Sequence, residues 1–288
     1  MPRLIILFTY LISIFVVGCL LAYPASLIID TSFERIVSRS ILICAVILFY
    51  PAYKALHIKS FSELGFTSNT PISTLSQSWG LGVVMLLPIS FIFIACGYRY
   101  WEPISPDLLG PTMTIFSAII AGLLIGLIEE TLLRGFLQSQ FNKLMTLSLS
   151  VFFVNVIYSS VHFLQPPETF TLETIHWYSG FTLLSAAFSS LLNFQLIWDS
   201  WIALFLAGVF LSIVRIRANL LWCIGIHAGW VAHIKVFKSF TDRDNTASCK
   251  AFASDYDNYV GEFSALWLIA IFIIWGIYYL VRQRQDKH

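Results

Sequence analysis

Long apolar runs separated by short polar stretches dominate the chain. A helix needs about 20 apolar residues to cross the hydrocarbon of a bilayer. Runs of this kind lie at 4–23, 38–57, 77–98, 113–138, 145–163, 199–214, 218–236 and 261–281. A weaker run, 173–192, holds Glu173, His176 and several serines, with Asn193 just beyond it. It either lies along the interface or forms a ninth span. The pattern predicts an all-α, polytopic membrane helix bundle of about eight transmembrane helices. The N-terminal "MPRLIILFTYLISIFVVGCLLA" has the charge and hydrophobicity of a signal peptide. Its apolar run is too long for a signal's apolar core, so it is read as the first span.

Composition strengthens the membrane reading. Of the 288 residues, 58% are hydrophobic and 11% are charged, against about 25% charged in soluble domains. The net charge of +1 indicates no basic nucleic-acid surface, and no nucleic-acid partner is expected. Five scattered cysteines, Cys19, Cys44, Cys96, Cys223 and Cys249, with no CxxC pair, argue against a disulfide framework or a thiolate zinc site. Residues 237–259 form the single long polar loop. The expected division is 1–112 for the first three helices, 113–236 for a catalytic helix core, 237–259 for the polar loop, and 260–288 for the last helix and a basic tail.

Charge in the short loops sets the orientation. With eight spans, one side collects Arg3, Lys54, Lys59, Lys143, Arg215, Arg217, Arg282, Arg284 and Lys287. The other keeps Arg35, Arg39, Arg99, Asp107, Glu168 and the mixed-charge loop. Both termini are therefore expected on the cytoplasmic side.

Against this background, ionisable residues inside the spans stand out, because burying one costs about 2.5–3.5 kcal/mol even on a lenient scale. They fall in three helices. In "EETLLR" (129–134), Arg134 lies about 40° around the helix from Glu130 but about 140° from Glu129. Glu130 and Arg134 thus form an i,i+4 pair, and Glu129 is left without a local cation. Gly122 and Gly126 are placed on the Glu129 face, where a GxxxG spacing admits another backbone or leaves room for water. In "NVIYSSVH" (155–162), Asn155, Tyr158 and His162 share a face. In "LLWCIGIHAGWVAH" (220–233), His227 sits mid-span among small residues, with His233 about 120° away. His57 and His176 read as interfacial, and His288 is terminal.

Each feature alone has a plain structural explanation, such as charges that lock helices together or a histidine at a helix end. Jointly, two carboxylates and two histidines match a hydrolytic centre: a glutamate takes a proton from water, and histidines hold that water or donate to an oxyanion. Glu129, His162 and His227 could equally supply three ligands to zinc.

These motifs resemble the CPBP family of intramembrane proteases, named for CAAX proteases and bacteriocin-processing enzymes and also called Abi. "EETLLR" matches its EExxxR motif. "YSSVH" (158–162) is similar to its FxxxH motif with tyrosine for phenylalanine. "HAGWV" (227–231) is similar to its HxxxN motif, with Val231 where the family has asparagine. The likeness covers roughly 113–235, and "ELGF" (63–66) adds a faint echo. The resemblance implies a CAAX-protease-like fold and an intramembrane endopeptidase acting on a membrane-associated or lipidated peptide. It implies Glu129 as the base that activates water, His162 as its helper and His227 as the oxyanion donor, with Glu130 and Arg134 in support. Val231 cannot donate, so Asn155 and Asn219 become candidate replacements. The cofactor is none or a divalent metal such as zinc held by Glu129, His162 and His227; the metal-free form is preferred. The implied location is a bacterial inner (cell) membrane. One tension is axial, since counting along the spans sets His162 about 8 Å from the level of Glu129. Two other functions compete: a catalytically inactive scaffold or immunity protein on the same fold, which Val231 favours, and a transporter or proton relay.

Overall fold

The computed structural model describes residues 2–103, 107–167 and 169–285. Glu168, Lys287 and His288 lie outside these. In chain order the helices are α1 (Pro2–Ser26), α2 (Phe33–Ala55), α3 (Phe61–Leu64), α4 (Pro71–Ala95), α5 (Leu109–Glu130), α6 (Gln138–Phe141), α7 (Leu147–His162), α8 (Ser179–Leu192), α9 (Trp198–Arg217), α10 (Leu220–Phe240) and α11 (Glu262–Gln285). A π-helical segment, Thr131–Leu137, joins α5 to α6. Two three-residue strands, β1 (Arg99–Trp101) and β2 (Thr241–Arg243), pair antiparallel with Tyr100 opposite Asp242. This small ladder is the one addition to the expected all-α bundle among the described residues.

Six helical segments are long and apolar enough to cross a membrane, and α7, α8 and the described part of α11 are shorter apolar helices. α8 has 14 residues, about 21 Å, which is shorter than the hydrocarbon. The chain on either side of it starts and finishes at the same end of the bundle. The His162 carbonyl, at the end of α7, accepts from Tyr256 Oη at 2.7 Å, and Ser200 Oγ, at the start of α9, donates to Val260 O at 2.9 Å. Trp201 Nε1 also donates to Ser160 Oγ at 3.2 Å. α8 leaves that end, lies against α1 where Gly180 meets the Cys19 backbone and Phe188 packs on Phe15, and returns. The ninth-span alternative therefore falls away.

The two ends of the bundle differ in chemistry. One end carries the β1–β2 ladder, residues 244–261 and the junctions around α7 and α9. The other carries Arg3, Lys54, Lys59, Lys143, Arg215, Arg217 and Arg282. We call them the ladder end and the basic end. At the ladder end Cys96, just after α4, forms a disulfide with Cys249 in the polar loop. The scattered cysteines, read as arguing against a disulfide framework, thus include one bonded pair. Scatter along the sequence hid the pair, because the chain between its members, 153 positions apart, folds back through four antiparallel crossings. Cys19, Cys44 and Cys223 are free and buried.

α10 is the central post. It starts on Asn219, whose side-chain Oδ1 accepts from Trp222 N at 3.2 Å as an N-cap. Gly65 of "ELGF" accepts at its carbonyl from Leu220 N at 3.0 Å, which ties the faint N-terminal echo to the start of this helix. α10 packs mainly on α4 and α5. On α5 the contact runs along Gly122 and Gly126: a Cβ on the first would sit 2.5 Å from Ala228 O, and on the second 2.8 Å from Ile224 O. Both glycines are buried, as is Glu130 one turn further on. The backbone of α10, which also carries His227 opposite Glu129, therefore fills the space the two glycines leave. We expect Gly122→Ala to cost about 1–3 kcal/mol, as overpacking does. Thermal unfolding of the purified protein in detergent checks this.

Candidate active site

The π-helical turn begins directly after Glu130. Single π turns inside α-helices are frequent at functional sites because they re-aim the side chains that follow. Here Arg134, four residues on, still reaches back to Glu130: Nη1 donates to Oε1 at 2.9 Å. Both side chains are fully buried. Arg134 Nη2 donates to Asn155 Oδ1 at 3.1 Å, and the guanidinium carbon lies 4.3 Å from the centre of the Tyr158 ring. Asn155 Nδ2 donates to Val151 O at 2.7 Å and to Ser212 Oγ at 3.0 Å. Gly208 of α9 leaves the space this amide occupies, since a Cβ there would collide with Asn155 Oδ1. The pair predicted from spacing is thus one edge of a buried network spanning α5, the π turn, α7 and α9.

This network settles two earlier alternatives. All of Asn155's polar atoms are engaged in holding Arg134 and α9, so it supports the scaffold and does not face an oxyanion. Asn219 is spent on capping α10. Neither replaces the amide absent at Val231.

Glu130 Oε1 also accepts from His227 Nδ1 at 2.7 Å. His162 Nδ1 lies 2.7 Å from Tyr158 O; a carbonyl only accepts, so Nδ1 carries the proton. Each imidazole is therefore anchored through Nδ1, with Nε2 directed elsewhere. Both Nε2 atoms meet the same carboxylate oxygen. Glu129 Oε2 stands 3.9 Å from His162 Nε2 and 3.9 Å from His227 Nε2. It is buried and has no hydrogen-bond partner among protein atoms. At 3.9 Å no direct hydrogen bond forms, but a single water bridges groups at that separation. The side chains of Glu129 and His162 are 29% and 24% exposed, whereas Glu130 is fully buried. Water thus has access to the first carboxylate and not to the second. The axial offset of about 8 Å expected from the sequence does not keep the side chains apart, since His162 Nε2 and Glu129 Oε2 meet at 3.9 Å.

The Tyr158 ring stands edge-on to both imidazoles, at 4.7 Å from His162 and 6.3 Å from His227. A cavity of about 490 Å³ opens beside them, lined by Tyr158, His162, His227 and Val231 with largely apolar walls from α4, α9 and α11. Tyr256 and Asp257 of the polar loop form its roof. Burial pushes the Tyr256 phenol up to about 12. It therefore keeps its proton across the physiological range and continues to donate to the His162 carbonyl. These apolar walls carry no sequence signal distinguishing them from any other membrane helix. The other described histidines lie outside the cavity: His233 Nε2 pairs with Ser90 Oγ at 2.7 Å, and His57 and His176 are exposed.

The zinc alternative can be tested on these distances. Ligands at 2.0–2.2 Å from a tetrahedral zinc lie about 3.4 Å from one another. Both measured separations are 3.9 Å, and among the described residues no group of three His, Cys, Asp or Glu side chains is arranged to hold a metal ion. The cluster as it stands does not fit a zinc chelate.

The long apolar helices make this an integral membrane protein whose core carries the three motifs. Residues 111–233 match the family model for Rce1-like type II CAAX prenyl endopeptidases. Over that segment the chain is similar to the CPBP, or CAAX protease, family, in agreement with the three motifs. A search of curated proteins and one of solved structures found no match.

Proposed function

We propose that the protein is an intramembrane endopeptidase that hydrolyses a peptide bond of a membrane-associated or lipidated peptide, with Glu129 as the base. The supporting observation is the convergence of His162 Nε2 and His227 Nε2 on Glu129 Oε2, each at 3.9 Å. A water held there gives its proton to Glu129 as its oxygen bonds to the scissile carbonyl carbon. His162 accepts a hydrogen bond from that water through Nε2. His227, as an imidazolium held at Nδ1 by Glu130, donates Nε2–H to the oxyanion. The C–N bond then breaks, and Glu129 returns the proton to the leaving amine. Charge stays balanced: Glu130 and Arg134 cancel, and His227 offsets first the Glu129 carboxylate and then the oxyanion. The metal-free sequence is preferred because the ligand separations are too wide for zinc.

The proposed location is a bacterial cell membrane with both termini in the cytoplasm, a reading supported by the basic loops and tail on the side of the termini. Comparing membrane proteomes of wild-type and Glu129→Ala cells tests the reading. Precursors accumulating in the variant support it, and identical proteomes overturn it.

Val231 favours one second reading, an inactive scaffold on the same fold. The side chain lines the cavity where the family carries an amide donor. Losing one such donor costs about 10²–10³ in rate. On the enzyme reading, Val231→Asn should raise turnover by up to about 10²-fold while Val231→Ala does not. Cleavage of an accumulated precursor by purified protein measures both. A scaffold would show cleavage with neither side chain.

A further inference from the structure

We infer that the cavity opens on the extracytoplasmic side of the membrane, so the substrate is an exported or outer-leaflet peptide and not a cytosolic one. The identity of the substrate rests on the proteolytic reading; the sidedness does not.

Three independent features coincide at the ladder end. The first is the Cys96–Cys249 disulfide. Disulfides persist in oxidising compartments and are rare where thiols are kept reduced. This one belongs to the cavity's surroundings, since Cys249 packs in one apolar cluster with Ile89, Phe237, Ala253 and Tyr259, and Ile89 and Tyr259 line the cavity. The second is charge. Excluding Arg134, the Lys and Arg residues with described side chains divide evenly, seven at the basic end and seven at the ladder end, while Glu63 is the one described acid accompanying the basic end. The ladder end carries eleven described Asp and Glu residues: Asp30, Glu34, Glu102, Asp107, Glu173, Asp199, Asp242, Asp244, Asp255, Asp257 and Glu262. The ladder end is thus the acidic end, but acids do not set orientation and the Lys and Arg are even, so it is the disulfide that places the ladder end outside. The third is the cavity itself. It takes the last part of α7, the first half of α9, the C-terminal two-thirds of α10 and the first half of α11. Every one of these stretches is the half nearer the ladder, and the roof is the polar loop. The Arg99 side chain fixes that roof, with Nη1 donating to Thr241 O at 3.1 Å and Nη2 to Asn258 O at 3.3 Å.

The apolar walls take a peptide segment resident in the outer half of the bilayer, and the exposed Lys235 stands at the mouth. A cytosolic lipidated C-terminus would approach from the basic end, where the α4–α10–α5 contact is closed at Gly122 and Gly126.

Impermeant maleimide labelling in sealed, right-side-out membrane vesicles tests the sidedness. The wild type supplies the blank, since its three free cysteines are buried and the other two are paired. Lys235→Cys should label in sealed vesicles, and Lys59→Cys only after lysis. Cys96 and Cys249 should take up reagent after denaturation only if reduced first. Protection of Lys235→Cys in vesicles of verified integrity, labelling of Lys59→Cys in the same vesicles, or free thiols at Cys96 and Cys249 would each overturn the inference. If labelling succeeds but no precursor accumulates in Glu129→Ala cells, the proteolytic reading fails while the sidedness stands.

Discussion

Glu129→Gln should remove peptide cleavage while leaving the protein folded, with turnover falling by about 10²–10⁴-fold, the contribution of a positioned general base. The two halves of this expectation have separate origins. Retained folding follows from the lack of attachments: Glu129 makes no hydrogen bond through Oε2 and its side chain is 29% exposed, so the isosteric amide disturbs no partner. Lost turnover follows from chemistry, because an amide cannot take a proton from water at neutral pH. Single-turnover cleavage and thermal unfolding, measured on the same preparation, separate the two. A variant that unfolds early would show that Glu129 is structural, and one that cleaves at the wild-type rate would show that another base acts.

Arg134→Met should have the opposite profile. It removes the cation from a fully buried carboxylate and leaves Asn155 Oδ1 without its donor. Breaking a buried pair from one side costs about 3–5 kcal/mol, because the remaining charge stays desolvated. The expected result is a large drop in thermal stability and in yield of folded protein. Arg134→Lys should recover only part of the loss. A lysine restores the charge but cannot reach Glu130 and Asn155 together as the planar guanidinium does. The double variant Glu130→Gln/Arg134→Met should be less damaged than Arg134→Met alone. Stability of the three variants in detergent gives the comparison.

These contrasting expectations show what sequence carried. Charge inside an apolar run is costly enough to be visible in one dimension, so Glu129, Glu130, Arg134 and His227 were legible as a group. The Glu130–Arg134 spacing survived because the π turn begins after Glu130 and leaves the pair within reach. The same turn is invisible in "TLLRGFL", which carries no local signal that separates a π turn from an α turn. The GxxxG spacing announced a close approach, but that the α10 backbone and not water fills it is fixed by tertiary packing. The Cys96–Cys249 bond and the β1–β2 ladder join residues more than 140 apart, beyond any local pattern. Asn155 and Asn219 looked available only because their partners, Arg134 and the backbone of Trp222, are fixed by tertiary structure.

The central claim is that Glu129, His162 and His227 act together on one water. The most direct measurement compares kcat/KM for Glu129→Gln, His162→Ala and His227→Ala with that of the triple variant on one precursor peptide. Residues that act as a unit lose their contribution once, so the triple variant should be about as slow as the slowest single variant. Losses that multiply across the three positions would contradict the account.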